Sequence, residues 1–478
     1  MKKNTLSRKE FLKLTGVATA GALAGACAPA APAAPAAPAA TVAPAATASP
    51  KLTGSIEVGT FYEEGPWFDL HKSVGDSITK DYPGASVKYT FANTASDAAR
   101  VLRWQAGDPL DVDFGRFNNQ APATWEWADK DYLYDLAPHM NDVLPSGEKW
   151  GDTFVPMVNS MDFDQREGSP TKGKRFGVPF ELVLFLMQHN QKIFDDAGVE
   201  PATTWPEFLT LCETIKTKTG VKPICLSGPT FYYTSHWWDR MIQRTVGKQG
   251  VLDVAYGNSN LSDDPGFLTA AQELQKLVDN DYLMDGYEAA DFTAAQAMFF
   301  QGQAAMIHMG SWLTSEMKDS IPEGFKLAVA DFPSYPGGKG DQNAMFGTSQ
   351  AMSIPNPAKS TSHKVNVDLA VDFLKRRTSK ELMEKAAQTL SIVAPVKGVS
   401  APPGVPGVDK QLARAATADF IIYYWGIHWD QALTQAWMVP TQSLFLGKIK
   451  AEQMIEEMDA NLKQYRAMKR AGITPTAP

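Results

Sequence analysis

The segment Gln296–Trp312, QAMFFQGQAAMIHMGSW, limits the folds open to this chain. A helix-like start over Ala294–Phe300 runs to Gly302. The next run, Ala304–Met309, is apolar without alternation, and Gly310, Ser311 and Trp312 follow it. A run of this kind reads as a strand buried on both faces, as in a parallel sheet covered by helices. Gly-Ser after it is a turn joined to a helix N-cap signal. This puts Trp312 at the first helical position, at the carboxyl end of a central strand. In open α/β sheets, ligands bind at that edge.

The remaining segments repeat the strand–helix alternation. Gly54–Phe61 alternates like a first strand, Phe68–Asp81 is helical, Tyr82-Pro83-Gly84 breaks it, and Ala85–Phe91 reads as a second strand. Arg175–Phe180 and Leu182–Gln188 read as two short strands either side of Glu181. Thr204 is placed to cap a helix with Pro206 and Glu207 in its first turn. Further helices are expected over Phe231–Gly247, Gly266–Asn280, Val365–Arg377, Ala416–Leu446 and Ala451–Met468, with strands near Pro223–Ser227, Phe325–Phe332 and Phe346–Ile354. Strands alternating with helices over 478 residues imply two α/β lobes.

Residues 1–26 differ from everything after them. Lys2, Lys3, Arg8, Lys9 and Lys13 form a basic start, and Leu14–Ala26 is a short apolar stretch, too short to span a bilayer. This is a secretory signal. Leu23-Ala24-Gly25-Ala26-Cys27 resembles a bacterial lipobox, which implies cleavage before Cys27 and lipidation of its sulfur. Ser7–Lys13 resembles a twin-arginine export motif with Lys9 at the second basic position. Residues 28–50 are nearly all Ala and Pro, which cannot build a core; at about 3.1 Å per residue they form a tether reaching at most ~70 Å. Taking the leader's five basic side chains and Glu10 from totals of 45 and 53 leaves 40 and 52, a net charge of −12. That opposes nucleic acid or anionic membrane as the main partner. Of the remaining cysteines, Cys212 falls on a helix and Cys225 on the next strand; two buried thiols or a disulfide are both open.

Several segments in order resemble one family. They are Tyr82-Pro83-Gly84; Ala106-Gly107-Asp108-Pro109 with Asp111; Gly177-Val178-Pro179-Phe180; Asn190–Gly198 followed by Thr204–Phe208; Phe299–Trp312; and Leu446-Gly447-Lys448. Together they resemble the extracellular solute-binding proteins of carbohydrate ABC transporters, the group of the maltose-binding protein. The resemblance implies a type II periplasmic-binding fold: two discontinuous lobes, 51–181 plus 330–391 and 182–329 plus 392–478. Three crossovers would join them, near Glu181, near Ala328–Ala330 and near Ser391–Pro395. A solute would bind between the lobes, hinge closure would bury it, and the closed form would dock on a membrane permease. A monomer tethered through Cys27 to the outer face of the cell membrane, or held in a periplasm, fits this reading.

Sugars present flat C–H faces, which suit aromatic rings, and hydroxyls, which suit carboxylates, amides and Arg. The chain has 12 Trp and 14 Tyr. The resemblance puts Trp312 at the family's Gly-x-Trp stacking position and Tyr62, Glu63, Glu64 and Trp67 in a loop that contacts sugar hydroxyls. Arg116, Asn118 and Glu181 are further candidates, with Tyr233 and Trp237 in the second lobe and Tyr424, Trp425 and Trp429 near the C-terminus. His308, inside the buried run, reads as a core residue. No cofactor or metal site is expected from the scattered His and Cys. Gly-x-Ser-x-Gly, His-Glu-x-x-His, P-loop and dinucleotide motifs are absent from the sequence, so no enzyme is expected. A glycosidase would need a carboxylate pair that nothing here singles out. A polysaccharide adhesin, or the same fold carrying a polyamine or glycerophosphodiester, remains an alternative.

Overall fold

A computed structural model describes residues 51–60, 62–91, 102–113, 124–156, 158, 170–390, 392–400, 409, 410, 413, 421–423 and 431–471. Its first element is β1 (Gly54–Thr60), then α1 (Pro66–Asp81) and β2 (Ala85–Phe91), with β1 and β2 parallel and in register from Gly54/Ala85 to Thr60/Phe91. The helix starts after Gly65, whose φ of 87° suits glycine, with Pro66 in its first turn. Leu70, Val74 and Ile78, four residues apart, bury one face.

The central element is β3 (Val178–Asn190), 13 residues buried throughout. The sequence reading had two short strands here; the structure has one, with a bulge between Pro179 and Glu181. Its even positions Val178, Phe180, Leu182 and Leu184 enter one hydrophobic core. Its odd positions Val183, Phe185 and Met187 enter the other. Side chains of a strand alternate faces, so this one strand serves two lobes. Hydrophobic cores on both faces explain why no polar alternation marks it.

The other strands are β4 (Lys222–Cys225), β5 (Ala304–Gly310), β6 (Leu327–Ala330), β7 (Met345–Met352) and β8 (Ile421–Tyr423). They form a sheet in the order β4-β5-β3-β7-β8, with β6 also paired to β3. β4/β5 and β7/β8 are parallel, but β5, β6 and β7 all run antiparallel to β3. The all-parallel expectation is corrected to a mixed sheet. A two-faced burial pattern reports covering layers and is silent on strand direction.

Helix Trp205–Thr219 carries the expected cap: Thr204 and Glu207 form a reciprocal capping box. Helix Lys380–Leu390 went unread in the sequence, and the stretch expected to be helical from Ala416 contains β8 before helix Gln431–Phe445 begins.

The segments around β7 divide between the two cores. Phe332, Ala344 and Phe346 pack in the second core, whereas Met345, Met352 and Ile392–Val396 side chains pack in the first. The segment before β7 is clamped to the C-terminal half of helix Phe231–Thr245. Lys339 N donates to Thr245 O (3.1 Å), Gly340 N to Arg244 O (3.2 Å) and Arg240 Nη1 to Ala344 O (2.8 Å).

Candidate functional site

Trp312 follows β5 directly, with φ −75° and ψ −13°, one position before the short helix Leu313–Glu316 and not within it. Its carbonyl accepts from Glu316 N and from Ser315 Oγ, both at 2.9 Å, which fixes its backbone. The indole is half-buried. Phe185 of β3 meets it edge-on, 5.3 Å between centroids at 90°. A Cβ built on Gly310 would overlap the six-membered ring of the indole, so the ring lies back over its own strand. Ser311 Oγ accepts from Leu184 N at 3.4 Å and ties the turn to β3. A flat aromatic surface, braced from one side, results.

The first lobe carries a second aromatic group. Tyr62, 44% exposed, stacks on Trp67 (6.4 Å, 19°), and Trp67 meets Phe180 edge-on (5.8 Å, 79°). Glu63 and Glu64 lie exposed in the same loop. Beneath Phe180, the fully buried Arg377 guanidinium sits 4.9 Å from the ring centroid. Phe180 and Phe185 thus connect both aromatic groups to β3.

Glu181 lies at the bulge of β3, opposite Gln350 of β7. Burial pushes its carboxyl up to about 8, and the positive charge of Arg377 opposes that rise. Burial pushes Arg377 down to about 9, with Glu181 opposing it. Glu181, Val183 and Phe185 alternate onto one face of β3. Four residues at about 3.3 Å each put Glu181 about 13 Å along the strand from the phenyl ring that braces Trp312.

Two candidates lie inside the second core. Tyr233 and Trp237 are each 1% exposed and belong to the second core. Tyr233 Oη donates to Phe292 O (3.0 Å), and Trp237 is enclosed by Trp205, Phe208, His308 and Phe332. Every residue of this helix from Tyr233 to Thr245 is buried, and its cover comes from helices far along the chain, so the sequence gives no sign of which aromatics reach solvent. Arg116, Asn118, Tyr424, Trp425, Trp429 and Cys27 lie outside the described residues. His308 is 1% exposed among Phe185, His236, Trp237, Phe332 and Phe346, and burial holds it well below the usual histidine range. Cys212 and Cys225 are free and buried. Among the described residues no group of three or more His, Cys, Asp or Glu could hold a metal ion, and no helix is long and apolar enough to cross a membrane.

Phe185 and Arg377 were not singled out in the sequence. The Gly two before Trp312 was visible, but only packing shows that the indole needs its missing side chain.

An uncharacterised ABC transporter extracellular-binding protein of Pyrococcus horikoshii is 25% identical over 277 residues, 55% of this chain and 59% of that protein. A multiple sugar-binding protein of Streptococcus mutans is 24% identical over 366 residues, 75% of this chain and 79% of its own. The solved structure of a chitin oligosaccharide binding protein superposes with a TM-score of 0.69 at 23% identity, covering 87% of this chain and 99% of that one. That likeness shows a shared fold, the two-lobed solute-binding architecture in mixed α/β form. Residues 69–383 match the family described as bacterial extracellular solute-binding proteins, and the chain belongs to that family.

Proposed function

We propose that this chain captures an extracellular sugar or oligosaccharide by closing its lobes about β3, and delivers it to the permease of an ABC importer. The observation that carries this reading is the half-buried Trp312 indole, braced edge-on by Phe185 and lying over Gly310. It offers a flat apolar surface to the C–H face of a pyranose. Glu181 on the same strand face, and the Tyr62–Trp67 stack tied to β3 through Phe180, supply polar and aromatic partners for the rest of the molecule. The sugar-binding relative of Streptococcus mutans and the chitin oligosaccharide binding protein support the solute class. Arg116, Asn118, Trp425 and Trp429 extend the site in this reading. The leader exports the chain, lipidated Cys27 anchors it, and the Ala/Pro stretch is the tether; the protein acts as a monomer.

Glu63 and Glu64, exposed beside two aromatic rings, favour a second reading in which the solute is a polyamine. A thermal-shift screen of sugars and polyamines separates the two, because a solute that binds only the folded state raises Tm. Sugars raising Tm support the first reading; spermidine or putrescine alone doing so would replace it with the second.

A further inference from the structure

We propose that Gln350 is a solute-contacting residue that sets specificity, working with Glu181 as a hydrogen-bonding pair on the floor between the lobes. This rests on the carbohydrate reading and names the residues that would read its hydroxyls. Gln350 stands directly opposite Glu181 across the antiparallel β3/β7 ladder. Opposed residues project from the same face with Cβ atoms about 4.5–5.5 Å apart, so both tips can address one small group.

Gln350 is half-buried, yet its Oε1 is buried without a hydrogen-bond partner among the described residues. Native proteins rarely leave such an acceptor empty, because its desolvation is uncompensated. An acceptor of this kind takes a donor from outside, and a solute hydroxyl is one. Arg377, whose charge acts on Glu181, is fully buried, and its Nε, Nη1 and Nη2 make no hydrogen bond among the described residues. Local departures from polar satisfaction of this kind concentrate at functional sites. The same face continues to Phe185, which braces Trp312, and Phe346 lies 5.2 Å from Phe185 on the β7 side. An aromatic surface at one end and an amide–carboxyl pair at the other suit a saccharide whose ring stacks on Trp312 and whose vicinal hydroxyls meet Gln350 and Glu181.

The test is Gln350→Leu in the full chain, with Glu181→Gln beside it and the double variant. Melting temperature and calorimetric affinity are read for maltose, raffinose and chitooligosaccharides. Gln350→Leu is expected to melt no lower than the parent, since it removes an unpartnered acceptor, and to bind at least about tenfold more weakly. The double variant is expected to lose less than the two single losses combined, as for two groups sharing one hydroxyl system. A Gln350→Leu protein with unchanged affinity, or one that melts lower and binds normally, overturns the role of Gln350 while leaving the carbohydrate reading intact. If none of these sugars binds even the parent protein, both fall.

Discussion

The two aromatic groups on β3 rest on opposite chemistry. In the first lobe, Phe180 lies between Trp67 and the buried Arg377 guanidinium, next to a carboxyl pushed up to about 8. In the second, Phe185 lies between Trp312 and His236, whose ring centroid is 4.1 Å away and whose imidazole burial pushes down to about 3. One platform sits over a buried guanidinium beside Glu181 and hangs on a loop. The other sits over neutral rings and a strand end. The difference shows how one strand can join a compliant face to a stiff one, with each core sealed on its own side.

Breaking the stiff side should cost most. Phe185→Ala removes the ring shared by Trp312, His236 and Phe346 and is expected to lower stability by about 3–5 kcal/mol, read by denaturant unfolding. Equal losses from Tyr62→Ala, expected below about 1 kcal/mol because the ring is 44% exposed, would erase the contrast. Next, Trp312→Ala should weaken sugar binding at least about tenfold, about 1.4 kcal/mol or more, with little change in Tm; unchanged affinity in calorimetry would make Trp312 packing only. Gly310→Ala tests the same surface without removing it. The new methyl displaces the indole, so affinity should fall while the fold persists; a normal affinity would show that the indole's pose is immaterial.

The smallest expected effect is in the pH response, and its sign differs between the lobes. Glu181 holds its proton in the folded state up to about 8 against an ordinary value of 4.5. Its contribution to stability is therefore present below about 4.5 and is lost as pH rises to about 8. His236, facing His308 with Arg240 nearby, stays neutral down to about 3 against an ordinary value of 6.5. Its contribution is present above 6.5 and is lost as pH falls towards 3. Glu181→Gln should flatten the loss between pH 5 and 8 and leave the acid side unchanged. A parallel drop on both sides would mean that Glu181 and His236 do not act independently.

The alternation of strands and helices, the capping box at Thr204 and the position of Trp312 at a strand end were all legible in the residues, because each depends on neighbours within one or two turns. The tertiary structure decided the rest. It merged two apparent strands into β3, because a strand sealed by two cores carries no polar alternation to mark its length. It placed Tyr233 and Trp237 inside the second lobe, because burial of a helix face depends on which distant helix covers it. It set Gln350 opposite Glu181, because a register between residues about 170 positions apart is fixed only when the sheet assembles.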